Sequence, residues 1–127
     1  MIKKNILNSC HREGFEDEEI SEAYKIFFGT LFSESRLKII NLLREKKMNV
    51  SEIMVEIDMD QTSVSHDLAR LKKCGFVNSK VDGKFREYTL NEDTIRPLME
   101  MIDKHMSNYC IHILRTMKGE NTNEKRR

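Results

Sequence analysis

Two sets of side chains in this sequence have types and spacings that could do chemistry. The first could ligate a metal. Cys10 and His11 are adjacent near the start, and Asp103, His105 and Cys110 lie within about two helical turns of one another near the end. Thiolate and imidazole suit zinc or another thiophilic metal ion, and an accessible thiolate also meets oxidants and thiol-reactive ligands. The second set is polar and basic: Gln61, Thr62, Ser63, Ser65, His66, Arg70 and Lys73 in one short stretch, followed by Lys84 and Arg86. Hydrogen-bonding side chains with interspersed cations are the residue types that read base edges and grip phosphates. A Gly-rich phosphate loop, a nucleophile beside a base, and paired carboxylates in a pocket-like context are all missing. The chain therefore reads as a binding protein rather than an enzyme.

The second set needs a helix and a hairpin to present it, and the apolar pattern supplies both. Ile20, Ala23, Tyr24, Phe27, Phe28 and Leu31 recur at helical spacing after the acidic run Glu16 to Glu19, which predicts a first helix near 17–31. Ser33 is placed to cap a second helix that turns Leu37, Ile40 and Leu43 or its neighbours inward. Asn49 followed by Glu52 resembles a capping box opening a short third helix with Ile53 and Ile57. After a break at Asp58-Met59-Asp60, Asp60 can cap a fourth helix whose stripe is Val64, Leu68 and Leu71, and Gly75 can end it. The period then changes to two: Val77, Ser79 and Val81 alternate, Asp82-Gly83 signals a hairpin turn, and Phe85 to Leu90 returns. A last helix starts between Asn91 and Arg96, the later start favoured because Pro97 fits a first turn. It carries Ile95, Leu98, Ile102, Met106, Tyr109, Ile113 and Met117 as one stripe of about six turns.

The expected organisation is an N-terminal arm over 1–15, a single domain over 16–117, and a charged, disordered tail over 118–127. Cys10, Cys74 and Cys110 are odd in number and far apart, which argues for a reducing cytoplasm and against a disulfide framework. No apolar run is long enough for a membrane span or a signal segment, so no membrane partner is expected. The net charge of +1 hides a local imbalance. Lys and Arg against Asp and Glu number 9 to 12 over residues 1–60, 6 to 3 over 61–90 and 7 to 6 over 91–127, so the basic segment is the middle one.

Two short helices, a tight break, a striped helix and a charged hairpin define a helix-turn-helix with a wing. At about 100° per residue, the side of the fourth helix opposite Val64, Leu68 and Leu71 carries Thr62, Ser65, His66, Ala69 and Lys73, with Arg70 toward its edge. Small and hydrogen-bonding side chains there let a helix approach base edges. The expected fold is mainly α with a β-hairpin wing, in the order α-α-α-α-β-β-α, and the expected partner is double-stranded DNA. The alternative is a winged-helix interaction or dimerisation module that does not read DNA sequence, favoured by the low overall charge and by Asp67.

Residues 31–90 resemble the ArsR/SmtB family of metal- and stress-responsive repressors. Leu31-Phe32-Ser33-Glu34-Ser35-Arg36 is similar to the family's opening of the second helix, usually written L-A-D-P-T-R. Gln61-Thr62-Ser63-Val64-Ser65-His66-Asp67-Leu68 resembles its recognition helix, Leu71-Lys72-Lys73-Cys74-Gly75-Phe76-Val77 its exit, and Asp82-Gly83-Lys84 through Tyr88-Thr89-Leu90 its wing. Asp67 departs from the family's usual His, on the flank of the helix expected to be buried.

The resemblance implies a homodimeric repressor, joined through the first and last helices and released by a metal ion, a thiol-reactive ligand or oxidation. Surplus apolar surface on those two helices points to the same dimer. Asp103 and His105 match the first half of the family's zinc-type site on the last helix, but Thr116 and Gly119 stand where its second half belongs. Met54, Val55 and Glu56 occupy the place of the thiolate pair on the third helix, and the second helix has no Cys. Cys10, His11 and Cys110, with Asp103 and His105, remain as candidates for a small inorganic effector, with no cofactor certain. Cys74, before the capping Gly75, reads as a small buried hydrophobe.

Overall fold

The computed structural model describes residues 10–123. They divide into two units, one ending at Leu90 and the other beginning at Asn91. The first contains α1 (Asp17–Leu31), α2 (Glu34–Leu43), β1 (Met48–Asn49), α3 (Val50–Ile57), α4 (Gln61–Lys73), β2 (Val77–Asp82) and β3 (Phe85–Leu90). The second contains α5 (Ile95–His105), a π-helical turn over Met106–Cys110, and α6 (Ile111–Asn123).

Each helix of the first unit starts where a polar side chain can take an unpaired backbone N–H. The Ser33 hydroxyl accepts from Arg36 N at 3.3 Å. Asn49 and Glu52 form a reciprocal capping box, with both bonds at 2.9 Å. The Asp60 carboxylate accepts from Ser63 N at 2.7 Å. Between α3 and α4 the chain turns through Asp58, which sits in the left-handed region at φ 54 and ψ 54. Gly75, at φ +80, stops α4 so that Phe76 can fold back under it, its N–H donating to Leu71 O at 2.8 Å.

The apolar stripes of α2, α3 and α4 converge. Ile39, Ile40, Ile53, Val64, Leu68, Leu71 and Phe76 are fully buried, and Val77 and Leu90 join them from the sheet. Phe27 of α1 stacks on Phe76 with ring centroids 4.9 Å apart. β2 and β3 pair antiparallel from Val77↔Leu90 to Asp82↔Phe85, which leaves Gly83 and Lys84 as the two-residue turn, one position later than the Asp82-Gly83 pair suggests. Gly83 takes φ +68 there, as the first central residue of such a turn requires.

Further features differ from the sequence expectations. Met48 and Asn49 add a third, edge strand to the wing, pairing with Tyr88 and Glu87 in a sheet of order β1-β3-β2. A two-residue strand is too short to show a period of two. The last helix is not one continuous stripe, because the π turn takes in one extra residue and rotates everything after it by about 100° relative to α5. Tyr109, Ile113 and Met117 therefore leave the line of Ile95 and Ile102, and all three are exposed. The helix also runs on to Asn123, through the first residues of the expected tail. Gly119, with φ −100 and ψ 18, marks an irregularity within it. Residues 10–12 form a helical turn inside the expected arm, and residues 1–9 and 124–127 of the expected arm and tail lie outside the described residues.

The second unit starts on an Asn91 turn, whose side-chain oxygen accepts from the N–H groups of Asp93 and Thr94 at 3.0 and 3.2 Å. Glu92 and Arg96 then pair one turn apart, and the Arg96 guanidinium holds the Glu92 carboxyl below its ordinary range. Among the described residues no helix is long and apolar enough to cross a membrane.

Candidate nucleic-acid interface

α4 is held by its inner stripe and by both ends, and this fixes what its outer side presents. Val64, Leu68 and Leu71 are fully buried. Opposite them Thr62, His66, Ala69 and Lys73 are all exposed. Gln61 is exposed and Ser65 half-buried along one margin; Ser63 is half-buried and Arg70 exposed along the other. At its start Asp60 puts a carboxylate beside the proposed reading face. The Ser63 N–H donates to it and, with the Ser63 hydroxyl and then His66 nearby, holds its pKa below the ordinary value. Its charge thus serves the helix end rather than standing free in front of a groove.

The second margin of α4 carries a polar junction that spacing alone does not reveal. Asp67, where the family usually has His, accepts from Ser35 Oγ at 2.5 Å and from Arg36 Nη1 at 3.2 Å. Arg36 also donates through Nε to the Thr30 carbonyl at 2.8 Å and through Nη2 to the Gly29 carbonyl at 3.4 Å. Arg70 donates through Nε to Thr30 Oγ1 at 2.8 Å. Ser35 and Arg36 belong to the segment that resembles the opening of the family's second helix, but neither was a candidate site residue. Their sequence signal is a half-match in a motif, and their partner lies about thirty residues away.

The wing brings Lys84 and Arg86 to the turn end of the sheet, both exposed. Arg86 Nη1 donates to Ser79 Oγ on the facing strand at 3.3 Å, which steadies its guanidinium. The opposite face is mixed in charge: Glu87 pairs with Lys47 at 3.4 Å and stands across from Lys80.

The metal candidates fare differently. Among the described residues no three His, Cys, Asp or Glu side chains form a group that could hold a metal ion. His11 Nε2 is 2.8 Å from Asp17 Oδ1, and Cys10 is half-buried beside an apolar groove. Asp103 and His105 are exposed at the end of α5, the His105 ring lies 5.0 Å from that of Tyr109, and Cys110 is half-buried in the π turn. Cys74 is half-buried, with its sulfur 3.3 Å from Thr30 Oγ1, so it is less the inert core residue expected than a member of the polar junction.

Residues 33–79, which span α2 to the start of β2, match the family model described as bacterial regulatory protein, arsR family. An uncharacterized HTH-type transcriptional regulator of Methanocaldococcus jannaschii is 31% identical over 88 residues, covering 68% of this chain and 94% of that protein. The chain belongs to the ArsR family. Within that family it is similar to the cadmium resistance transcriptional regulatory protein CadC of Listeria innocua, 41% identical over 76 residues. That match covers 59% of this chain and spans 64% of the cadmium regulator's length. Among solved structures, the homodimeric winged helix-turn-helix DNA-binding domain of a possible ArsR-family transcriptional regulator from Mycobacterium bovis superposes with a TM-score of 0.67 at 21% identity. It covers 76% of this chain and 91% of that one, and establishes the winged-helix fold. The family match is centred on α2 to α4, so the ArsR-family signature coincides with the segment that places Asp60, Arg36 and the outer side of α4.

Proposed function

We propose that this ArsR-family chain is a sequence-specific DNA-binding transcriptional regulator, acting as a homodimeric repressor in the cytoplasm and working by binding rather than catalysis. The observation that carries the reading is the outer side of α4, where Thr62, His66, Ala69 and Lys73 stand exposed opposite three fully buried anchors. In a major groove this side would meet base edges, with Gln61 and Ser65 on one margin and Ser63 and Arg70 on the other. Lys84 and Arg86 would lie along the phosphates.

The dimer is supported by α1 and by the exposed apolar residues of α6. A groove of about 580 Å³ runs along α1 between Phe15, Ile20, Ala23, Tyr24, Phe27 and Phe28. Tyr24, Ile26, Phe28 and Phe32 are exposed on or beside that helix, as are Ile113, Leu114 and Met117 on α6. Covering such surface with a second copy would give the twofold arrangement that two half-sites require. Release by a small inorganic effector, a thiol-reactive ligand or an oxidant is the matching proposal for regulation, with Cys10, His11, Asp103, His105 and Cys110 as its candidates, collected across two copies.

The test is a gel shift at several salt concentrations with the promoter of the chain's own gene. Thr62→Ala and His66→Ala should each lose about 1–3 kcal/mol of specific affinity while folding normally. Removing Lys84 and Arg86 should weaken all sequences alike. Equal binding of any duplex by the parent would favour an interaction module that does not read sequence. For the effector, zinc, cadmium, arsenite and a mild oxidant are titrated into the parent complex and into one carrying Cys10→Ser and Cys110→Ser. Equal release of both places the sensor elsewhere.

A further inference from the structure

Thr30 is the one buried polar residue of α1 among the described residues, and it is fully buried. A hydroxyl in such a place is unfavourable unless its hydrogen bonds are made. Thr30 Oγ1 donates to Ile26 O at 2.8 Å, back along its own helix. With its proton committed there, the same oxygen accepts from Arg70 Nε at 2.8 Å and faces Cys74 Sγ at 3.3 Å, the thiol acting as donor. The Thr30 carbonyl accepts from Arg36 Nε, and Arg36 continues to Asp67. One residue of α1 thus holds α4 at two points, Arg70 directly and Asp67 through Arg36.

The consequence for Arg70 is specific. An arginine side chain on a helix surface samples many rotamers, and ordering it on a ligand carries an entropic cost. Here the guanidinium is fixed at Nε from behind, while Nη1 and Nη2 meet no partner among the described residues. Arg70 is exposed at the margin of the side that carries Thr62, His66 and Lys73. Two coplanar terminal nitrogens, held in place and open, are the donor pair that matches two oxygens of one phosphate.

We infer that Thr30 is the positioning residue for Arg70, and that the anchored guanidinium takes a DNA backbone phosphate end-on through Nη1 and Nη2. This rests on the proposed DNA-binding role and adds to it a residue inside the protein that touches no DNA. Arg70 then serves affinity and register, and base discrimination stays with Thr62 and His66.

The test uses the full chain and a duplex carrying its own promoter, titrated at several salt concentrations. Thr30→Val keeps the shape of the side chain and removes the acceptor; Thr30→Ser keeps the acceptor. Thr30→Val should bind about five- to tenfold more weakly and lose roughly 0.9 from the log–log salt slope, as one phosphate contact would. Thr30→Ser should match the parent. The double variant Thr30→Val, Arg70→Gln should be no weaker than Arg70→Gln alone. If Thr30→Val does not fold, Arg70→Lys decides: it keeps the charge but has no Nε–H, and should lose nearly as much as Arg70→Gln. A parent-like slope and affinity for Thr30→Val or for Arg70→Lys, or additive losses in the double variant, overturns the inference and leaves the DNA-binding role intact. A parent with no affinity for the duplex overturns both.

Discussion

Asp67 and Arg36 form an ion pair whose loss should be unequal from its two sides. Their side chains retain only 13% and 18% of their exposure, and the charged atoms are 3.2 Å apart. At that distance, with an effective dielectric of about 20, the gross attraction is about 5 kcal/mol, most of it offset by the desolvation of both groups. What each partner keeps after the other is removed decides the net. In Asp67→Asn, Arg36 retains the Thr30 and Gly29 carbonyls, and the amide oxygen can still accept from Ser35. About 1 kcal/mol should be lost, near the upper end for an exposed pair. In Arg36→Met, the Asp67 carboxylate keeps only the Ser35 hydroxyl, and two carbonyls lose their donor. About 3 kcal/mol should be lost, the lower end for an orphaned buried charge. The double variant, with no orphaned charge, should recover about 1 kcal/mol over Arg36→Met alone. Urea denaturation at neutral pH measures all three, provided the slope with denaturant stays constant. Equal losses from the two single variants, or no recovery in the double, would refute the assignment of Asp67 as a charge held by Arg36.

Leu68 is fully buried among the stripes of α2 to α4, so Leu68→Ala should cost about 3–4 kcal/mol in the same denaturation assay. Asp58 holds φ 54 without being glycine; Asp58→Val should cost about 1–2 kcal/mol, whereas Asp58→Gly should be close to neutral. Asp60 has its folded pKa lowered by the Ser63 N–H, so its contribution is present above the ordinary carboxylate value of 3.8 and is lost as pH falls through the lower folded value. Melting temperatures of the parent and Asp60→Ala should therefore differ at pH 5–7 and converge in stronger acid. A difference that persists below the carboxylate range would show that the cap acts without its charge.

Much of this protein was legible in the residues themselves. The bounds of α1 and α4, the caps at Ser33, Asn49 and Asp60, the stop at Gly75 and the hairpin after it all follow from local rules. Apolar period, cap chemistry and left-handed glycines act within a few residues, so they can be read without knowing the fold. The outer side of α4 was legible for the same reason, since one helix with a known inner stripe has a known outer face.

What only the tertiary structure decided lies in pairings across long stretches of chain. Met48 and Asn49 become a strand because β3 offers them an edge, not through any pattern of their own. The π turn at Met106–Cys110 breaks a stripe that reads as continuous, because one added residue per turn leaves the spacing of residue types unchanged while it rotates the face. Asp67 could be placed on a buried flank by periodicity, but its neutralisation by Arg36 and Ser35 could not. Thr30 reads as an ordinary residue near a helix end, and becomes the joint between α1 and α4 only when Arg70, forty positions away, brings its Nε–H to that hydroxyl. Spacing along one helix is written in the chain. Which buried oxygen meets which distant donor is fixed only when the helices close on one another and every buried polar group must find a partner.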